Sequence, residues 1–216
     1  MKNGVIDVSG MIIGSVPIGE RDRRVTLLTR EIGKVSFFAR GAARANSSLL
    51  GYTRLLAFGT FHLYRGHDSY SLEGAEIREY FEDISQDMER GLYAAYFMEL
   101  SDYYSHELQA EPLLLKTLFY AVKALLKPEL PHELTRRVLE LKLMVIDGAY
   151  PPEPPVRTDT PCAYTWNYIV TAPPEKLFTF TVTDEAMKAL AVNVDAAMER
   201  FMEREMRSLR ILKEML

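Results

Sequence analysis

Residues Arg23–Arg40 read RRVTLLTREIGKVSFFAR, two apolar–polar alternations joined by EIGK (Glu31–Lys34). A period of two marks a half-buried strand, because successive side chains point to opposite faces. Gly33 is free to take the positive φ that a tight connection needs. In the first run Arg24, Thr26, Leu28 and Arg30 share one side, and in the second Lys34, Ser36, Phe38 and Arg40 do. Val25, Leu27, Val35, Phe37 and Ala39 fall on the opposite sides and form the expected interior. Outward from this hairpin, alternating runs near Val5–Val16, Arg54–Arg65 and Ser69–Arg78 predict three more strands, with Gly66 turning RGHDS (Arg65–Ser69). Five short antiparallel strands with one longer connection, RGAARANSSLLGY (Arg40–Tyr52), predict an OB-type β-barrel over residues 1–80.

From Phe81 the period becomes helical. Asp83 and Ser85 can cap a helix carrying Leu92, Tyr96, Leu100 and Tyr103 on one stripe. A second helix starts behind Pro112 with Leu114, Leu118, Val122 and Leu125 inward, and a third runs from Pro131 to Gly148 with Leu134, Val138, Leu141 and Val145 inward. The five prolines of residues 149–161 predict an extended linker. NYIVTAPPEKLFTFTV predicts a β-hairpin over about residues 166–182. Thr183 and Asp184 then cap a helix, and Asp195 caps another that runs to the C-terminus. The expected fold is α+β, a barrel followed at residues 81–216 by a helical domain with an inserted hairpin.

The formal charge of −4 over 216 residues hides an asymmetry. Residues 21–65 hold 9 Lys and Arg against 2 Asp and Glu, whereas residues 81–216 hold 15 against 22. Such a split suggests an anion-binding module joined to an acidic one. A single cysteine, Cys162, excludes an internal disulfide and a multi-cysteine metal cage. Glycine and proline interrupt the apolar stretch after Val8, so no leader or spanning segment is expected, and the expected location is cytoplasmic and nucleoid-associated.

An outward wall carrying Arg24, Arg30, Lys34 and Arg40, with the Phe38 ring among them and Arg44 on the adjoining loop, suits a single-stranded nucleic acid. Cations follow the phosphates while a base stacks on the ring for about 1–3 kcal/mol. The same residues would also serve merely to keep an exposed strand face soluble. No nucleophile motif, phosphate-cradling loop or metal-protease helix occurs, and Glu20, Asp22 and Glu31 are scattered, so no enzymatic activity and no cofactor are expected.

IGERDRRVTLLTREIGKVSFFARGAAR resembles the RecO family signature, in which a G-E-x-D turn precedes a strand, a T-R-E-x-G-K hairpin and an A-R-G-A motif. LYRGHDSYSLEGAEIRE and MRSLRIL resemble that family's fifth strand and closing helix. The resemblance implies a recombination mediator in DNA repair with an OB domain and a helical domain. It further implies binding of single- and double-stranded DNA, annealing of complementary strands, and action with RecR to help load the RecA recombinase. A pocket for the tail of single-stranded-DNA-binding protein is implied in the helical domain, with Arg136, Arg137 and Lys142 as candidates for its basic rim. Many members place a four-cysteine zinc module where this chain has GAYPPEPPVRTDTPCAYTWNY, so zinc is not expected here. Two alternatives differ in class: an adaptor whose barrel binds protein only, and an RNA-binding OB protein.

Overall fold

The computed structural model of the chain describes residues 4–67, 69–156 and 159–216. It separates into two compact units, Met1–Glu82 with Ser105–Leu115, and Asp83–Tyr104 with Lys116–Leu216. Asp68 of the expected turn, and Arg157 and Thr158 of the expected linker, lie outside the described residues.

In the first unit β1 (Gly4–Ile18), β2 (Asp22–Thr29), β3 (Gly33–Ala39), β4 (Phe58–Arg65) and β5 (Tyr70–Glu79) close into a barrel in the order β1-β2-β3-β5-β4. Neighbours pair antiparallel except β3 and β5, which meet in parallel at Phe37–Tyr70 and Phe38–Ser71. Val25, Leu27, Val35 and Phe37 point inward as their alternation requires, and Val8, Ile12, Phe61 and Leu63 join them. Each large apolar side chain withdrawn from water contributes about 1.5–3 kcal/mol. Gly10 and Gly59 face each other across β1 and β4. A Cβ at Gly10 would stand 2.4 Å from the Leu28 carbonyl oxygen, and one at Gly59 would stand 2.2 Å from that of Glu76. Neither position has room for a side chain.

Two features of this unit depart from expectation. Leu28, assigned to the outward row, is fully buried. Residues Ser105–Leu115, far along the chain, also belong to the barrel unit. The Lys34 amide donates to the His106 carbonyl at 3.0 Å, and the Leu108 amide donates to the Lys34 carbonyl at 3.1 Å. This strap lies against the β2–β3 turn.

The remaining chain forms α1 (Glu82–Ser85), α2 (Met88–Tyr104), α3 (Pro112–Ala124), α4 (His132–Asp147), α5 (Thr160–Thr171), α6 (Asp184–Phe201) and α7 (Arg207–Met215). Gly148 ends α4 in the left-handed region at φ 87°. The expected hairpin at 166–182 is not formed, because its first half belongs to α5. Asp159 accepts the Cys162 amide at 3.1 Å and Pro161 sits in the first turn, so the helix starts before the presumed strand. Cys162, Thr165, Trp166 and Ile169 then bury one helical stripe. Nor does Asp195 start a helix: α6 continues through it to Phe201.

No side chain of its own caps the N-terminus of α7; Glu99 of α2 does so instead. Its carboxylate accepts the Arg207 amide at 3.2 Å, the Ser208 amide at 2.7 Å and the Ser208 hydroxyl. Burial alone would raise the Glu99 carboxyl, but those donors and the Arg204 charge outweigh it and hold the group below its ordinary value. A depressed carboxylate contributes stability above its unfolded value, and that contribution is lost as pH falls through the folded value. Glu99→Gln is expected to cost about 1 kcal/mol at pH 7, by analogy with a lost helix cap. The gap between variant and parent in urea midpoint should close below about pH 4. A gap that stays constant with pH would refute this role.

Candidate nucleic-acid interface

The proposed site begins with the register of the hairpin. Arg24 of β2 sits opposite Phe38 of β3, with Val16 of β1 on the far side of Arg24. Directly opposed residues share a face, and this row faces solvent: Arg24 is exposed and Phe38 retains 37% of its surface. β3 leads into the Arg40–Tyr52 connection, which is a chain of turns anchored to the barrel. The Gly41 amide donates to Asp22 Oδ1 at 2.8 Å, the Ala43 amide donates to the Arg21 carbonyl at 2.9 Å, and Ala42 is fully buried. Gly41 takes φ 75°, and the Arg44 side chain passes about 4 Å from where a Cβ of Gly41 would stand. The backbone is pinned while the Arg40 and Arg44 side chains stay exposed.

Electrostatically, this wall is cationic because few acids accompany it. Residues 21–65 contain only Asp22 and Glu31 as carboxylates. Asp22 takes the Gly41 amide, and Glu31 takes the Ser9 amide at 2.8 Å and the Arg30 guanidinium at 3.2 Å. Among the described residues, no ion pair involves Arg24, Arg40 or Arg44.

The six expected contacts fall into two groups. Arg24, Phe38, Arg40 and Arg44 gather around one end of the hairpin, and Arg30 and Lys34 flank its turn at the other. At about 3.3 Å per residue, Arg24 and Arg30 stand roughly 20 Å apart along the strand. Arg30 is paired to Glu31, and the backbone of Lys34 is bound on both sides by the strap. Two further cations went unremarked in the sequence reading. Arg21 is exposed beside the anchored loop, and Arg23 donates to Ser15 Oγ at 3.1 Å from the barrel end. Their place in a run of five charged residues, ERDRR, was the available signal.

Arg136, Arg137 and Lys142 do not rim an open slot. Arg136 and Arg137 are each only 4% exposed. Arg136 donates to Glu133 at 2.5 and 2.8 Å and to Glu140 at 3.4 Å. Arg137 donates to Glu133, to Glu140 and to both oxygens of Asp195. The Lys142 amine donates to the carbonyls of Ile169, Val170 and Ala172, closing the C-terminus of α5, and burial lowers its pKa. All three cations are consumed by packing within the helical unit. Cys162 is buried, and among the described residues no group of three or more His, Cys, Asp or Glu could hold a metal ion. No helix among the described residues is long and apolar enough to cross a membrane.

Residues 1–81 match the family described as "Recombination protein O N terminal". The chain is 34% identical over 146 residues to the DNA repair protein RecO of Acetivibrio thermocellus, covering 68% of this chain and 58% of that protein. It is 31% identical over 147 residues to the DNA repair protein RecO of Alkaliphilus metalliredigens, covering 68% and 60%. The protein of the same name from Listeria welshimeri is 33% identical over 142 residues, covering 66% and 55%. The matches thus span under two thirds of the length of these relatives. With the five-stranded barrel, its exposed cationic wall and the helices that follow, they establish that the chain belongs to the RecO family.

Proposed function

We propose that this protein is a non-enzymatic recombination mediator in DNA repair that holds single-stranded DNA on the outer wall of its barrel. The observation that supports this reading most directly is that Arg24, Arg40 and Arg44 are exposed beside the Phe38 ring, in no ion pair among the described residues, on a stretch with only two acids. Arg30 and Lys34 form a second station at the hairpin turn. Annealing of complementary strands then requires charge neutralisation and exposed bases, with no covalent step. By family analogy the duplex product, RecR, the tail of single-stranded-DNA-binding protein and, indirectly, the RecA recombinase are the partners. The burial of Arg136, Arg137 and Lys142 argues for a tail-binding surface elsewhere than at these residues.

A fluorescent oligothymidylate titrated at several salt concentrations tests the interface. Each neutralised phosphate contributes about −0.7 to the slope of log affinity against log salt. Replacing Arg24, Arg40 and Arg44 together by alanine is expected to flatten the slope by about 2 and to weaken binding at every salt concentration. The pair Arg30→Ala and Lys34→Ala should change it less, given the Glu31 ion pair. An unchanged slope in the triple variant removes DNA from this wall and favours an adaptor that binds protein only.

A further inference from the structure

Beyond β2 and β3 the outward row continues around the barrel. Phe38 is paired with Ser71 of β5, and Ser71 with Tyr64 of β4. Tyr64 faces solvent with 39% of its surface exposed, close to the 37% of Phe38. Arg24, Phe38, Ser71 and Tyr64 therefore lie side by side on one face, one per strand. Two inter-strand spacings, about 10 Å, separate the rings. Between them stands Ser71, too small to block a chain passing from one to the other. Each ring leaves more than a third of its surface in water, apolar area that a stacked base would cover.

The charges bordering the row give it sides. Glu73, the next outward residue along β5, is exposed, and Asp7 accepts a hydrogen bond from His62 at 2.7 Å on the same flank. On the other flank come Thr26 and Ser36, small and uncharged, with Lys34 and Arg30 beyond them. Arg40, the next outward residue after Phe38, lies on the same flank as Glu73, because β3 and β5 run in parallel, so that flank is cationic beside β3 and acidic beside β4 and β5.

We infer that Tyr64 is a second base-stacking ring, so that a single strand crosses the barrel from β2 and β3 over Ser71 onto β4. This rests on the DNA reading of the wall and extends the bound segment by at least one base. Stacking is tolerant of sequence, because every base has a π-face, so the added ring lengthens the site without making it selective.

Oligothymidylate and an abasic strand of equal length are the two probes. Tyr64→Ala is expected to weaken oligothymidylate binding about 5- to 150-fold, with the salt slope unchanged and the abasic strand bound as by the parent. Tyr64→Trp should restore affinity, and its emission should be quenched on binding. Equal thermal midpoints exclude loss of fold as the cause. If Tyr64→Ala binds oligothymidylate as tightly as the parent, while Phe38→Ala and Arg40→Ala weaken it, the second ring is refuted and the wall survives. An equal loss on both probes also refutes stacking. A parent chain that retains neither probe overturns the DNA reading itself.

Discussion

Gly33→Ala is expected to destabilise the barrel unit by about 3–5 kcal/mol, among the largest effects of any single methyl group in this chain. Two penalties coincide there. Gly33 adopts φ 68°, a conformation that costs an L-residue about 1–2 kcal/mol. A Cβ at this position would also stand 1.8 Å from the Gln109 carbonyl oxygen, 2.6 Å from its carbon and 2.9 Å from the His106 oxygen. These are backbone atoms, so no side-chain rotation relieves the overlap. The strap must lift, and its hydrogen bonds to Lys34 must break. Gly19→Ala is the control: φ there is 58°, yet nothing lies within 4 Å of its Cβ, so only the conformational penalty of about 1–2 kcal/mol applies. Urea unfolding of both variants separates the two terms. Slowly exchanging amides at Lys34 and Leu108 should become fast in Gly33→Ala alone. Equal destabilisation of the two variants would mean that the strap yields freely.

The same glycine shows what a sequence can and cannot disclose. Its need for positive φ was legible, because a two-strand alternation interrupted by EIGK leaves no other turn residue. Its second duty was not, since the strap that crowds it lies more than seventy residues along the chain. The exterior rings were legible by the same alternation: FHLYR places His62 and Tyr64 on one face as surely as VSFFA places Phe38. The hairpin at 166–182 was misread for a physical reason. Tyr, Ile, Val and Thr favour strands on propensity, but Asp159 and Pro161 begin a helix and Lys142 closes it from another element. Propensity is local, whereas a cap supplied by tertiary contact is not. The wall of free arginines was only half legible. Composition gave the excess of charge, but only coordinates show that Asp22 and Glu31 are engaged by backbone amides.

Glu140→Ala is expected to cost the helical unit about 3–5 kcal/mol, the penalty for leaving buried charge uncompensated. The sequence ELTRRVLE spaces Glu133, Arg136, Arg137 and Glu140 three and four residues apart, so all four share one face of α4. On a surface helix such pairs contribute only about 0.2–0.5 kcal/mol. Here Glu140 is 1% exposed, and it accepts from Arg136 at 3.4 Å, from Arg137 at 3.2 Å and from the Tyr96 hydroxyl at 2.8 Å. Burial pushes the Glu140 carboxyl up, against the pull of both guanidiniums and of Tyr96. Burial alone would lower the two arginines, yet their carboxylate partners hold both above the ordinary value. The charged form of the cluster stands, because arginine does not give up its proton and a neutral Glu140 would leave two buried cations short of an anion. Removing Glu140 therefore strands both guanidiniums and the Tyr96 hydroxyl together. Glu140→Gln, which keeps shape and one acceptor, should fall between parent and alanine variant in urea midpoint. Replacing Arg136, Arg137 and Glu140 together by apolar residues of similar volume should recover much of the loss, since no unpaired charge then remains. A Glu140→Ala variant as stable as the parent would show that Glu133 and Asp195 alone satisfy both arginines.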